Sequence, residues 1–275
     1  MSLLALHEAR FDAHYQRERD RPGDLWVFLH IPKTAGSSFR QELAQRLRPE
    51  VNLVGSHDND GRPQIEKTRA ALQAFLERLP AQPHRFASGH LRRSDLQAIR
   101  RAHPRSRFIT MLREPVARVI SDYRYMRTPA HPTWQEVIAR YPTIEDYLRD
   151  PRTQDKMFRF LRRRPTDGAE QVIEDLEQHF SFVGTVEQYA LSCRLLFRLL
   201  GIGGEPAVYQ RRTEDRADNQ IEDLAQARAL AAALNPRDQA IWRHFHDRLG
   251  AIAAPLEAWL SATSVPAAAP AAGRA

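Results

Sequence analysis

The chain has 275 residues, 42% of them hydrophobic, enough core for one large α/β domain or two small ones. Its formal charge is +7, from 41 Lys plus Arg against 34 Asp plus Glu, and arginine dominates: the lysines are Lys33, Lys67 and Lys156. The single cysteine, Cys193, excludes an internal disulfide and a Cys-rich metal site, and no apolar run approaches the roughly 20 residues of a membrane helix, so the chain reads as cytoplasmic.

Residues 1–24 are polar and mixed in charge, with Leu4, Phe11 and Tyr15 hinting at a loosely packed helix. The apolar run Trp26 to Ile31 stops at Pro32, and Phe39, Leu43 and Leu47 then fall at helical spacing, so 25–48 reads as strand, tight loop and helix. Turn residues make Ser56–Gly61 a loop, and 64–79 reads as a helix with Leu72, Phe75, Leu76 and Leu79 on one face. A second strand is expected at Arg85–Leu91, followed by a helix capped by Ser94. A third is expected at Arg107–Arg113, followed by a helix that Pro115 opens and that runs to about Met126. Residues 132–179 read mainly as helices, Phe180–Val186 as a fourth strand, and 187–200 as a helix closed by Gly201. Two helices, 219–234 and 236–260, precede an Ala- and Pro-rich tail that reads as disordered.

Continuous apolar strands alternating with helices predict an α/β fold: a three-layer sandwich around a central parallel sheet, with extra C-terminal helices. The expected layout is a polar segment over 1–24, one domain over 25–260 and a tail over 261–275.

Two stretches carry chemistry. The first is Pro32-Lys-Thr-Ala-Gly-Ser-Ser38, where a strand feeds a helix through small residues. Such a loop aims backbone N–H groups and the positive end of a helix at an anion. Its lysine precedes its glycine, which rules out the usual GxxxxGK[ST] triphosphate loop. The plain alternative is a tight turn carrying an exposed lysine. The second stretch is Arg113-Glu-Pro-Val-Ala-Arg-Val-Ile-Ser121. Arg113 ends a strand, and in open parallel sheets ligands sit at the carboxyl ends of strands. Arg113 and Ser121 are therefore placed to hold a second anionic group at the edge that carries the first loop. Arg118 either joins them or pairs on the helix surface with Asp122 or Glu114.

Together the two stretches resemble the sulfotransferases that use 3′-phosphoadenosine 5′-phosphosulfate. The likeness is to the carbohydrate group that includes the heparan and chondroitin or dermatan uronyl 2-O-sulfotransferases and many bacterial relatives. His30–Ser38 is similar to that group's 5′-phosphosulfate loop, and Leu112–Tyr123 to its 3′-phosphate motif, with Glu114 where Asp is commoner. Ser88–Leu91, Thr153-Gln154, Phe182–Glu187 and Leu234–Trp242 also fit. The resemblance spans about residues 25–250. It implies a P-loop-like architecture, with Lys33 at the bridging oxygen between sulfate and phosphate. The stretch Thr34, Ala35, Gly36, Ser37 and Ser38 would lie on the 5′-phosphate, and Arg113 and Ser121 on the 3′-phosphate. The acceptor it implies is a carbohydrate or glycoconjugate hydroxyl.

Sulfuryl transfer needs a base for that hydroxyl's proton, and His90 follows Gly89 at the end of the second strand, on the same edge. In the uronyl 2-O group a histidine in a Gly-His context has this role. His57 and His30 are weaker candidates, His30 because it lies within the strand. A sulfuryl group carries less charge than a terminal phosphoryl group, so the reaction does not by itself call for magnesium. No His or carboxylate cluster along the chain has metal-ligand spacing. Two other functions remain open: a nucleotide-dependent kinase of related architecture, which would need a magnesium ligand, and a non-catalytic binder of a polyanion. The basic stretches Arg159–Arg164 and Gln210–Arg212 read as solvated helix faces.

Overall fold

A computed structural model describes residues 2–53, 62–207, 216 and 219–263. The loop at Ser56–Gly61 with His57, the stretch Gln210–Arg212 and the tail from residue 264 lie outside the described residues. Five strands form one parallel sheet: β1 (Leu25–Leu29), β2 (Glu50–Leu53), β3 (Phe86–Gly89), β4 (Ser106–Leu112) and β5 (Phe180–Thr185), in the order β2-β3-β1-β4-β5. β1, β3 and β5 are buried along their whole length, as expected of a sheet covered on both faces. The predicted α/β class is the one observed.

The crossovers set where a ligand can lie. β1 connects through α3 (Gly36–Arg46) to β2 on one side of the sheet. β3 and β4 connect towards the other side, β3 through α5 (Arg93–Ala102) to β4. The chain therefore diverges at the carboxyl end of β1, opening a crevice flanked by the ends of β3 and β4. The loop after β1, His90 after β3 and Arg113 after β4 all face it.

Four features depart from the sequence reading. β2 was not expected. It is a short edge strand whose partly exposed Glu50-Val-Asn-Leu53 carries too little apolar signal. The helix read from a Ser94 cap begins at Arg93; the Asp95 carboxylate accepts from the Arg92 N–H at 2.7 Å and does the capping. The helix read over 236–260 is two, α13 (Pro236–Ala251) and α14 (Ala253–Ala262). Pro255 lacks an N–H and its ring crowds the carbonyl four residues back, which forces the break at Ile252. The segment before β1 is packed: α1 (Ser2–His7) and α2 (Phe11–Glu18) place Leu3, Leu6 and Phe11 in the main core.

The remaining helices are α4 (Gln64–Arg78), α6 (Pro115–Met126), α7 (Trp134–Arg140), α8 (Ile144–Arg149), α9 (Lys156–Leu161), α10 (Ala169–His179), α11 (Tyr189–Leu200) and α12 (Leu224–Leu234). α11 ends as predicted at Gly201, which takes the left-handed φ of 66° that glycine adopts without a Cβ penalty. Val119, Ile120, Tyr123, Tyr141, Tyr147, Ala227 and Ala231 form a second core, separate from the sheet, that ties α6 to α8 and α12. This helical layer holds α6 beside the crevice.

Candidate active site

The loop after β1 is built for backbone approach. Lys33 and Ala35 both have positive φ, 69° and 58°, costing of order 1–3 kcal/mol each for residues with a Cβ. Such strain marks a backbone bent to present its N–H groups at the start of α3. Thr34 is fully buried, and its hydroxyl donates to the Ile31 carbonyl at 2.9 Å, bracing the turn. The Thr34 hydroxyl is thus committed inside the loop, while Ser37 is exposed and Ser38 buried at the first turn of α3.

Gly36 opens that helix because no other residue fits. A Cβ there would stand 1.9 Å from Cδ2 and 2.0 Å from Nε2 of His30. The His30 ring cannot retreat easily, since it stacks on Phe28 at 5.4 Å and lies 4.4 Å from the His90 ring. Gly36→Ala is expected to lower stability by about 1–3 kcal/mol through this overpacking, read as a lower urea midpoint. An unchanged midpoint would show that the ring yields without cost.

Sheet register explains the histidine pair. Leu29 pairs with Gly89, so His30 and His90 leave the sheet side by side. Burial, and after it the charges of His90, Arg40 and Lys33, hold His30 well below the ordinary histidine value, so its ring is neutral. His90 is exposed, and its Nδ1 lies 2.8 Å from the His30 carbonyl oxygen. A carbonyl oxygen only accepts, so Nδ1 donates and the lone pair of the neutral ring is on Nε2.

Arg113 crosses to the same loop, donating to the Lys33 carbonyl at 3.1 Å. Burial lowers its pKa and Glu187 raises it; a guanidinium stays charged under either influence. Glu114 caps α6, its carboxylate accepting from Val116 N–H at 2.9 Å and Ala117 N–H at 2.6 Å. Ser121 lies on α6, half-buried, beside Asp122 in sequence.

The Lys33 ammonium sits 4.0 Å from the centroid of the Tyr125 ring. Burial pushes its pKa below the usual lysine value, Asp122 pulls it up, and Arg113 and Lys156 push it down again. Lysine 33, Arg113 and Lys156 therefore gather positive charge around one turn of backbone, and Asp122 is the carboxylate among them. That carboxylate is already committed. Its Oδ2 accepts from Tyr147 at 3.0 Å, from Arg118 at 3.3 Å and from Lys156. Arg118 is fully buried, with Asp238 at 3.8 Å on its other side. The helix-surface pairing with Asp122 is thus a buried one, and Glu114 takes no part in it.

Sequence reading missed Lys156, Asp122, Tyr125 and His131. Lys156 reaches the site through a reciprocal cap: Asp238 accepts from Met157 N–H and Phe158 N–H at 3.1 and 2.7 Å, while Asp155 accepts from Arg237 N–H and Asp238 N–H, both at 3.0 Å. Burial raises the Asp238 pKa to about 6 against the pull of Arg118. His131 packs edge-on to Tyr125 at 5.8 Å; burial lowers its pKa, with Asp122 opposing. One signal was available: a chain with three lysines among 41 basic residues places two of them here. The stretch Arg159–Arg164 is not a ligand surface in the main. Arg159 is bound to the Pro151 carbonyl at 3.1 Å and to the Arg152 carbonyl at 2.5 Å, and Arg163 pairs with Asp175 at 3.4 Å.

The chain is 26% identical over 243 residues to galactose-3-O-sulfotransferase 3 of Mus musculus, covering 80% of this chain and 55% of that protein. It is 31% identical over 144 residues to heparan-sulfate 6-O-sulfotransferase 1 of Homo sapiens, covering 45% of this chain and 33% of that one. The chain thus spans about half or less of the length of these curated relatives. Among solved structures, it is similar to mouse sulfotransferase SULT7A1 complexed with PAP, at a TM-score of 0.38 and 15% identity, covering 82% of this chain and 68% of that one. The pattern of the galactose-3-O-sulfotransferases matches residues 4–255, and the chain belongs to that family.

Proposed function

We propose that this chain is a sulfotransferase that moves a sulfuryl group from 3′-phosphoadenosine 5′-phosphosulfate to a hydroxyl of a carbohydrate or glycoconjugate. The observation that carries the reading is His90. Its Nδ1 donates to the His30 carbonyl at 2.8 Å, which fixes the tautomer of the neutral ring with its lone pair on Nε2, at the edge shared by the Lys33 loop and Arg113. Family membership supports the reaction class, and the donor set fits the nucleotide. Two phosphate-bearing ends ask for two cationic places, which the Lys33 loop and Arg113 with Ser121 supply. The similarity of the Gly89-His90 context to the uronyl 2-O enzymes belongs to this same reading.

The nucleotide supplies the activated sulfuryl group when bound. The residues do the rest. The backbone from Thr34 to Ser38, at the start of α3, holds the 5′-phosphate. Arg113 and Ser121 hold the 3′-phosphate. Lys33, with Lys156 behind it, meets the charge that develops on the departing phosphate oxygen, and donors fixed at that point stabilise the transition state electrostatically. His90 takes the acceptor's proton on Nε2.

The test is calorimetry with adenosine 3′,5′-bisphosphate, followed by a labelled-sulfate transfer assay over a panel of glycans. Wild type binds the bisphosphate, and Arg113→Ala weakens it by about tenfold or more, as expected for loss of a charge-assisted contact. His90→Ala binds the nucleotide normally and transfers about 10²–10⁴-fold more slowly. Indifference to the bisphosphate with magnesium-dependent ATP turnover would replace this reading with a kinase. Salt-sensitive polyanion binding without transfer would replace it with a binding protein.

A further inference from the structure

We propose that His7, Glu177 and His244 form a site for a divalent transition-metal ion of the zinc class, which fastens α1 to α10 and α13. The three ligand atoms come from helices far apart in the chain and lie within 4.8 Å of one another. His244 Nε2 is 2.8 Å and His7 Nδ1 3.6 Å from the same oxygen, Glu177 Oε1. The sequence showed no metal-ligand spacing because the spacing exists only after folding.

A plain hydrogen-bonded triad accounts for only half of this arrangement. The His244–Glu177 contact is an ordinary hydrogen bond. His7 is different. Its side chain is 3% exposed, yet among the described residues Nδ1 has no hydrogen-bond partner and points at a carboxylate oxygen just out of hydrogen-bond range. A buried polar nitrogen left unsatisfied is rare and costly in a native structure. A shared cation removes the anomaly: two imidazole nitrogens and a carboxylate oxygen are a standard ligand set for zinc, with a fourth place for water. Tetrahedral zinc with bonds near 2.1 Å sets its ligand atoms about 3.4 Å apart, close to the spacing already present.

The surroundings permit such an ion. Arg248, His244 and His14 all act electrostatically on His7. Arg248 and His14 oppose an added positive charge, and the Glu177 carboxylate offsets them. Glu177 and His244 are 13% and 21% exposed, which leaves an entry path. Glu177 sits just before β5 begins, at the end of the sheet opposite the crevice. None of the three residues belongs to the proposed transfer machinery, and the inference does not depend on it.

The experiment uses the full chain, stripped with chelator and titrated with zinc chloride by calorimetry, with cobalt(II) substitution read by its visible d–d absorption. One zinc per chain is expected, with tetrahedral-type cobalt bands and a thermal midpoint raised by about 5 °C at a hundredfold excess over Kd. His7→Ala, His244→Asn and Glu177→Gln should each weaken zinc by about tenfold or more and remove the thermal shift. Glu177→Gln keeps the side-chain shape and a hydrogen bond to His244, so it separates lost ligation from lost folding; circular dichroism confirms each fold. Failure of wild type to bind zinc tighter than about 10 μM, a level expected of scattered surface histidines, overturns the proposal. So does stoichiometric binding that survives Glu177→Gln and His244→Asn.

Discussion

Asp122→Ala is expected to destabilise the protein by about 3–5 kcal/mol, the cost of stranding buried charge when one member of an ion cluster is removed. One carboxylate oxygen serves Arg118, Lys156 and Tyr147. Arg118 is fully buried, and its Nε and Nη2 have no hydrogen-bond partner among the described residues. Without Asp122 that guanidinium would depend on Asp238 at 3.8 Å. Asp122→Asn keeps the volume and a hydrogen-bond acceptor but not the charge, so it should fall between wild type and alanine. Urea unfolding at neutral pH checks both. The pH dependence follows from the sign of the shift. Lys156 and Arg118 hold the Asp122 carboxyl well below its ordinary value of 3.8 despite burial. A depressed carboxylate contributes stability that is complete above its unfolded pKa and is lost as pH falls. The gap between wild type and Asp122→Ala should therefore be constant above about pH 5 and narrow below pH 3.8. A gap that widened on acidification would contradict this assignment of the charges.

Lys33→Ala is expected to lower the transfer rate by about 10²–10³, the usual cost of removing one fixed donor from a developing negative charge. Nucleotide binding should weaken less than the rate falls, because the ammonium works hardest where charge appears during the reaction. Lys33→Arg should recover little. The ammonium rests 4.0 Å from the Tyr125 ring centroid and feels the charges of Arg113 and Lys156, and a flat guanidinium is larger and directs its donors differently. Single-turnover kinetics with labelled sulfate measure the rate apart from binding. A loss smaller than about tenfold would move the leaving-group role to Lys156.

The residues of the Lys33 loop and of the start of α6 were readable in the sequence as a strand, a turn and helix starts because their signals are local. A strand that stops at proline, a lysine, a glycine and two hydroxyls describe the Lys33 loop within a dozen positions, and Glu114-Pro115 announced α6. Parallel register did the rest, since Leu29 opposite Gly89 makes His30 and His90 neighbours. What could not be read was long-range. Lys156 is brought in by carboxylates that cap each other's helices across some 80 residues: Asp155, just before α9, accepts from the first turn of α13, and Asp238, in α13, accepts from the first turn of α9. No periodicity encodes such an exchange. The β2 edge failed for a different reason: its register holds through backbone pairing with β3 and an Arg40–Glu50 ion pair at 3.0 Å, neither of which leaves an apolar pattern. The break at Ile252, in contrast, was written in Pro255 and needed only the rule for proline inside a helix.

The distribution of lysine has a practical consequence. Of the three side-chain amines in the chain, Lys67 is buried within α4, and the other two meet at the crevice. A lysine whose pKa is lowered by burial holds more of its amine unprotonated, and the unprotonated amine is the nucleophile. Among the three lysine side chains, Lys33 is therefore the one whose amine an acylating reagent should favour, and protection of that side chain would report occupancy of the crevice.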